Sequence, residues 1–518
     1  MKKLLFLLSF CINTQAVAED LRIGLRADIT SVDPHFHVSG PNSAMASHMF
    51  ESLVKQDNNQ KLLPGLALSW EKQSDLIWEF KLRENVKFHN NQVFEAKDVV
   101  YTINRIQKGI GPLESYKTYI RFIDKVEIVN PHKIKISSIK PYPLLAWDIA
   151  MIGILPHSLG ENLDSHDFNQ AKTAVGTGPY RFVSWRPGQD IIIEKNNDYW
   201  GNKEPWDKVI FKPVPQDISR FNALLAGDFD FIETVPVEEL YRFKETSKFK
   251  LFATIPSRLM YLCMDLGNKI SPYVLDMDGK ALTKNPFQDK RVREALSYAI
   301  NREFLIQHYL GNHGKQTGQL IIEGATGFNP DLKAHVQDIE KAKQLMKEAG
   351  YEKGFQVVFS STSGRYVNDA KIVQAIASML EQIKIKAKVE ILPSNVFFSR
   401  SQKGDFSLSL GGWPVGRESL SPLQALFHRF DMKEGHGVFN RGRYANQELD
   451  VMIEKALETM DDVKREELLK KANRVVVEDL AIIPLYFSIA NWAGKESLTF
   501  EPRMDEYTIA MNVKKFKN

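Results

Sequence analysis

The sequence predicts an α/β protein of more than one domain, and three observations carry that expectation. From Asp338 onward, helix-like and strand-like segments alternate, the pattern of an α/β unit with a partly parallel sheet. Around Trp78, a strand with one buried face gives way to an amphipathic helix. At 518 residues the chain is long enough for about three domains, each with a sizeable core.

The elements follow in order. Lys2 and Lys3, an apolar run from Leu4 to Ile12, and Ala16-Val17-Ala18 are the three parts of a secretory leader, cleaved after Ala18. The run is too short for a membrane anchor, and Phe10 stands before Cys11 where a lipoprotein signal wants a small residue. The expected mature protein is soluble and periplasmic. It keeps one cysteine, Cys263, in an apolar run, so the fold must hold without an internal disulfide. Leu21 to Leu25 alternate as a strand. Trp78, Phe80 and Leu82 alternate with Glu79, Lys81 and Arg83, and Val99, Ile103 and Ile106 lie on one side of a helix that should stop at Gly109. Gly176-Thr177-Gly178-Pro179-Tyr180 reads as a sharp turn between lobes before another strand. Pro286 suits a first helical turn, Val292, Ala295, Leu296 and Ala299 have helical spacing, and Asn301 caps the next helix. The arginines of that stretch are expected on solvated helix faces. Past Asp338 come a helix closed by Gly350, a strand at 355–359, a helix through Ile372 and Ile383, and strands at 387–391 and 406–410. Two helices, 447–460 and 463–479, lead into a strand at 482–486.

Formal net charge is +4, and loss of Lys2 and Lys3 leaves +2. That balance gives no footprint for nucleic acid or for a strongly anionic membrane surface.

Four stretches carry a resemblance: LLPGLALSWEKQSDLIWEFKLRENVKFHNNQVFEAKDVVYTINR from Leu62 to Arg105, GTGPY from Gly176, NPFQDKRVREALSYAINREFL from Asn285, and IPLY from Ile483. Together they resemble the family 5 extracellular solute-binding proteins of peptide- and nickel-type ABC transporters, over almost the whole chain after the leader. The resemblance implies a two-lobed periplasmic binding protein fold with an additional domain packed on the first lobe. Lobe I would combine 19–55, 174–260 and 484–518, the extra domain would span 56–173, and lobe II 261–483. It implies a monomeric periplasmic receptor without cofactor or catalysis, which binds di- or oligopeptides by lobe closure and delivers them to an inner-membrane ABC permease. A nickel chelate, haem, an opine or an oligosaccharide is the alternative solute.

Buried sites place a few oriented polar groups among aromatic walls, which directs attention to loops after strands. Ser363 to Asp369 carries Arg365 and Tyr366; the resemblance assigns the arginine to a peptide carboxylate, which a guanidinium grips through two parallel hydrogen bonds. The bland alternative is that Asn368 or Asp369 caps the helix and Arg365 points into solvent. Gly411 to Glu418 carries Trp413, by resemblance a pocket wall. Dipeptide-type members place an Asp three residues beyond that Trp for the peptide α-amino group; here the position is Gly416, and the nearest carboxylate is Glu418. Either Glu418 replaces the Asp, or the solute lacks an ammonium there, or another loop supplies the anchor. His35 and His37 follow the opening strand, where family members touch ligand; a metal at His35-x-His37 is a minor reading without further ligands, and no metal is expected. Arg417, Arg429, Arg441 and Arg443 read as solvated loop charge or as an electropositive wall for an anionic solute. A secreted hydrolase is the reading from another class, but the chain has no G-x-S-x-G elbow, no H-E-x-x-H helix and no Cys paired with a plausible His; without a G-x-x-x-x-G-K-[ST] loop it cannot supply a transporter's ATPase either.

Overall fold

A computed structural model describes residues 19–109, 116–161, 163–244, 247–254, 257–431 and 435–516; the expected leader lies outside them. Two seven-stranded sheets organise the chain. The first runs Phe249–Ala253, Asn491–Lys495, Phe231–Glu233, Asp20–Leu25, Lys208–Pro213, Asp190–Lys195, Tyr180–Arg186. Asp20–Leu25 lies parallel to both of its neighbours and buries Leu21 and Ile23 completely. The second sheet is built on Arg258–Met264, antiparallel to Leu408–Pro414 on one side and Ile483–Ser488 on the other. Beyond Leu408–Pro414, the strand Phe355–Thr362 pairs in parallel with it and with Ile385–Leu392, the partly parallel sheet expected from the alternation.

The additional domain is a four-stranded antiparallel sheet, Ala67–Ser74, Ile77–Leu82, Lys133–Ser138, Ile123–Asn130. Trp78, Phe80 and Leu82 share a core with Val99, Ile103 and Ile106 of the helix Ala96–Lys108, as their spacing required. Glu95 and Asp98 form a capping box at that helix's start, and Gly109 ends it at φ 90°.

The structure departs from the sequence reading in four places. Ile483–Ser488 belongs to the second sheet, so the chain returns to the first sheet at Ile489 and Ala490 and not at 484; the second lobe likewise takes up its first strand at Arg258, before 261. An apolar run announces a strand but not which sheet will pair with it. The strand expected at 406–410 starts at Leu408 and continues to Pro414, through residues read as a loop. Gly411 and Gly412 permit this by leaving room for rings: a Cβ on them would stand 2.6 Å from Tyr261 and 2.7 Å from Tyr366. Gly176 and Gly178 serve close approach more than turning, since a Cβ at Gly178 would lie 2.5 Å from the His48 carbonyl oxygen. Arg293 and Arg302 are buried, not solvated. Arg302 donates to the carbonyls of Pro484, Ser297 and His335, and Arg293 to those of Phe287 and Asp479, so each ties a helix to distant chain.

Two buried polar knots stand out, the first joining the additional domain to the first lobe and the second tying separate segments of the first lobe together. In one, Arg105 forks onto Asp33 at 2.7 and 3.1 Å and donates to His35 Nδ1 at 3.0 Å. A guanidinium only donates, so Nδ1 is the acceptor and Nε2–H donates to the Gly153 carbonyl at 2.8 Å. Burial, aided by Arg105, pulls the His35 pKa down to about 4, and burial does the same to His48. In the other knot the Glu51 carboxylate, 4% exposed, accepts from Thr177, Tyr199 and Trp200 at 2.9, 2.8 and 2.7 Å, and from Lys55.

Glu51→Ala is expected to cost about 3–5 kcal/mol in urea unfolding, because it strands several buried donors and a cation at once. Acid should unfold the protein from a higher pH than its carboxylates alone dictate. A histidine depressed from 6.5 to about 4 contributes about 3 kcal/mol that is complete above pH 6.5 and lost as pH falls toward 4. His35→Asn should lower the slope of stability against pH in that window by up to one proton; an unchanged slope contradicts the neutral, buried state.

Candidate functional site

The loop between Phe355–Thr362 and the helix Asp369–Glu381 is organised by one carboxylate. Asp369 accepts from the backbone amides of Gly364, Arg365, Tyr366 and Ala370 at 2.9–3.2 Å and from the Thr362 hydroxyl at 2.8 Å. Gly364 and Asn368 turn through positive φ, and Asn368 donates to the Tyr309 carbonyl at 2.9 Å. Asp369 thus reaches back over the loop in place of an ordinary cap. The backbone under Arg365 is fixed before any solute arrives.

Arg365 faces a cavity of about 150 Å³ between the lobes, with Arg258 the second lobe's other contribution. The first lobe supplies Arg26 at the end of the opening strand, Glu233, Asn491 and the segment Asp505 to Thr508. The charges differ in how they are satisfied. Arg258 pairs with Glu506 at 2.7 Å, and Ser257 donates to the same carboxylate at 2.9 Å. Burial alone would push the Glu506 carboxyl up, but Arg258, with Arg26 and the Ser257 hydroxyl, more than reverses it and holds it below its usual range. Asp505 is taken by Arg503. Glu233 accepts from two neutral groups, the Arg26 amide at 2.6 Å and the Thr508 hydroxyl at 2.7 Å. Among the described residues, Arg26 and Arg365 have no carboxylate partner. Burial above all lowers the Arg365 pKa, with Arg258 and Arg26 adding like-charge repulsion; its guanidinium lies about 6 Å from the Tyr366 and Phe398 rings. Although Arg365 keeps more than a third of its surface exposed, that exposure is to the cleft. A second hollow of about 420 Å³ adjoins, sharing Arg26 and Arg365 and running along Gly364 to Lys371. Lys371 bridges the lobes at its rim, 2.6 Å from Glu238.

The other residues singled out from sequence take different places. Tyr366 packs over Gly412 beside Arg365. Trp413 sits in the strand Leu408–Pro414, opposite Leu259, with its ring edge-on to Phe439 at 5.3 Å, away from the 150 Å³ cavity. Glu418 is engaged by Arg465 at 3.0 Å, both being nearly buried. His35 is committed to Arg105 and Gly153. His37 is half-buried and does not line the cavity. Sequence reasoning passed over Arg26, Arg258, Glu233 and Glu506. Arg26 was findable, since it directly follows the first strand. The others come together through chain crossings that no local pattern reveals. A larger hollow, about 1020 Å³, is lined by Tyr101, Arg105 and Trp185 and by no residue of the second lobe, so lobe closure cannot enclose a solute in it.

Comparison with known proteins agrees with this architecture. The glutathione-binding protein GsiB of Escherichia coli K12 is 26% identical over 499 residues, covering 93% of this chain and 91% of that protein. The probable D,D-dipeptide-binding periplasmic protein DdpA of the same organism is 26% identical over 518 residues, covering 96% and 95%. In structure the chain resembles the periplasmic binding protein DppA from Helicobacter pylori in complex with the peptide STSA, with a TM-score of 0.82 at 22% identity, over 96% of this chain and 98% of that one. Residues 61–431 match the model of the middle region of bacterial extracellular solute-binding proteins, family 5. With two lobes facing across a charged cavity and a family match over more than half its length, the chain belongs to family 5 of the bacterial extracellular solute-binding proteins.

Proposed function

We propose that this protein is a monomeric periplasmic receptor for short peptides, serving an inner-membrane ABC permease. One observation carries the reading: Arg26 and Arg365, from opposite lobes, line one cavity, and among the described residues neither guanidinium is held in an ion pair. A peptide C-terminal carboxylate supplies that charge and, held from both sides, draws the lobes together. Glu233, whose partners are neutral, is the carboxylate left for the peptide α-amino group, in place of the Glu418 that Arg465 occupies. The relatives named for glutathione and D,D-dipeptide binding point to the same class of solute. The receptor carries its solute unaltered: peptide incubated with it should be recovered intact, and cleavage by pure protein would make it a hydrolase.

The deciding experiment is a thermal-shift screen on protein stripped of solute by unfolding and refolding. At a hundred times its dissociation constant a cognate peptide adds about 2.7 kcal/mol of stability. The shift should fade when the C-terminus is amidated; a response to nickel chelates, haem, opines or sugars with silence toward peptides would replace the reading. Arg365→Ala should weaken peptide binding about 10- to 100-fold, the range of a lost charge-assisted hydrogen bond, while leaving the solute-free melting temperature nearly unchanged. Glu233→Gln should weaken peptides with a free N-terminus by about tenfold and leave N-acetylated ones untouched.

A further inference from the structure

Asn491 begins the strand Asn491–Lys495 and lines the cavity of about 150 Å³ together with Arg26, Glu233, Thr234 and Arg365. The residue is only 7% exposed. Its carboxamide has one orientation. The Val235 amide donates to Oδ1 at 2.7 Å, and because a backbone N–H can only donate, the oxygen is fixed there and Nδ2 is turned away from it. Nδ2 has no partner among the described residues, and it is not one of the unpartnered atoms sealed off from solvent. A free donor on a side chain this buried, in the wall of a cavity, is open to an acceptor that a solute brings.

The backbone beside it is strained and clamped. Thr234 sits at φ 56°, a left-handed conformation that is costly for a β-branched residue. Its amide donates to the Asn491 carbonyl at 2.9 Å, and its own carbonyl accepts from Arg220 at 2.9 Å. Arg220 is fully buried and also donates to the carbonyls of Glu233 and Val214. These bonds hold the Val235 amide where it fixes the Asn491 carboxamide.

The charged groups of the cavity leave Asn491 a different kind of partner. Arg258 and Glu506 satisfy each other, and Asp505 is taken by Arg503. Arg26 and Arg365 present two guanidinium forks, enough donors to fill the about four lone-pair positions of one carboxylate. The neutral donor that remains matches a neutral acceptor, which in a peptide is the carbonyl of a peptide bond.

We infer that Asn491 is a specificity-determining residue that donates from Nδ2 to a peptide carbonyl of the solute, so that the cleft reads the peptide bond as well as the charged ends. The inference rests on the peptide-receptor reading. It separates peptides from single amino acids, which carry both charges but no peptide carbonyl.

Calorimetric titration of the stripped protein would use Ala-Ala-Ala and its two thioamide analogues, in which sulfur, a weak acceptor, replaces one carbonyl oxygen. In the parent, one of the two should bind about five- to tenfold more weakly than Ala-Ala-Ala. Asn491→Ala should weaken Ala-Ala-Ala by a similar factor and no longer distinguish it from that thioamide, since both changes remove the same contact. Asn491→Asp keeps the acceptor for the Val235 amide but puts an oxygen where the donor stood. It should bind Ala-Ala-Ala at least as weakly as Asn491→Ala does, while its solute-free melting temperature falls no lower than the parent's. A thioamide that costs as much in Asn491→Ala as in the parent overturns the contact. So do affinities unchanged in both variants, or a melting temperature several degrees lower in Asn491→Asp. Each of these leaves the peptide receptor standing, whereas failure of Ala-Ala-Ala to bind the parent overturns both readings.

Discussion

The arrangement depends on a ribbon. The chain passes between the two large sheets twice, and the two passages are hydrogen-bonded to each other. Phe249–Ala253 pairs with Asn491–Lys495 in the first sheet, and Arg258–Met264 with Ile483–Ser488 in the second. Between them the Thr254 amide donates to the Ala490 carbonyl at 3.0 Å and the Ser257 amide to the Ser488 carbonyl at 2.9 Å. A paired double crossing resists shear between strands but bends and twists readily, so it restricts the lobes to the kind of rotation that opens and shuts a cleft.

The cleft chemistry is set beside this ribbon. Ser257 and Arg258, the first residues of the second lobe, both engage Glu506 of the C-terminal segment, whose backbone sits at φ 64°. That pair settles one positive and one negative charge at the base of the cavity. Arg365 is presented from the far side by a loop whose amides converge on Asp369, and Arg26 by the parallel strand at the centre of the first sheet. Rigid sheets thus deliver the charged groups from both sides, and little ordering is left to be done when a solute binds.

Local physics was legible in the sequence where it acts over a few residues. The helix from Ile339 to Glu348 begins at the Asp338 cap and is followed by Gly350, and Asn301 caps its helix as its position predicts. Trp78, Phe80 and Leu82 announced both a strand and its buried face. What failed needed distant partners. Gly411 to Pro414 look like a loop until Arg258–Met264 lies alongside, and Arg293 and Arg302 look solvated until the carbonyls of Asp479 and Pro484 arrive. The site divided in the same way. Arg365 and Tyr366 stand on a strand–loop–helix that local sequence reveals, whereas the engagement of Glu418 by Arg465, 47 residues on, has no local signal.

The unpaired guanidinium groups of Arg26 and Arg365 bear on the empty protein as much as on the loaded one. Shutting the cleft over nothing would hold two like charges, with Glu233 beside them, in a space of about 150 Å³ with reduced access to water. Repulsion between Arg26 and Arg365 works against closure of the empty cleft, and an anion between the arginines would relieve it. Shape becomes a report of occupancy. A membrane partner that grips only the shut form can be approached by a large excess of vacant molecules without being blocked by them.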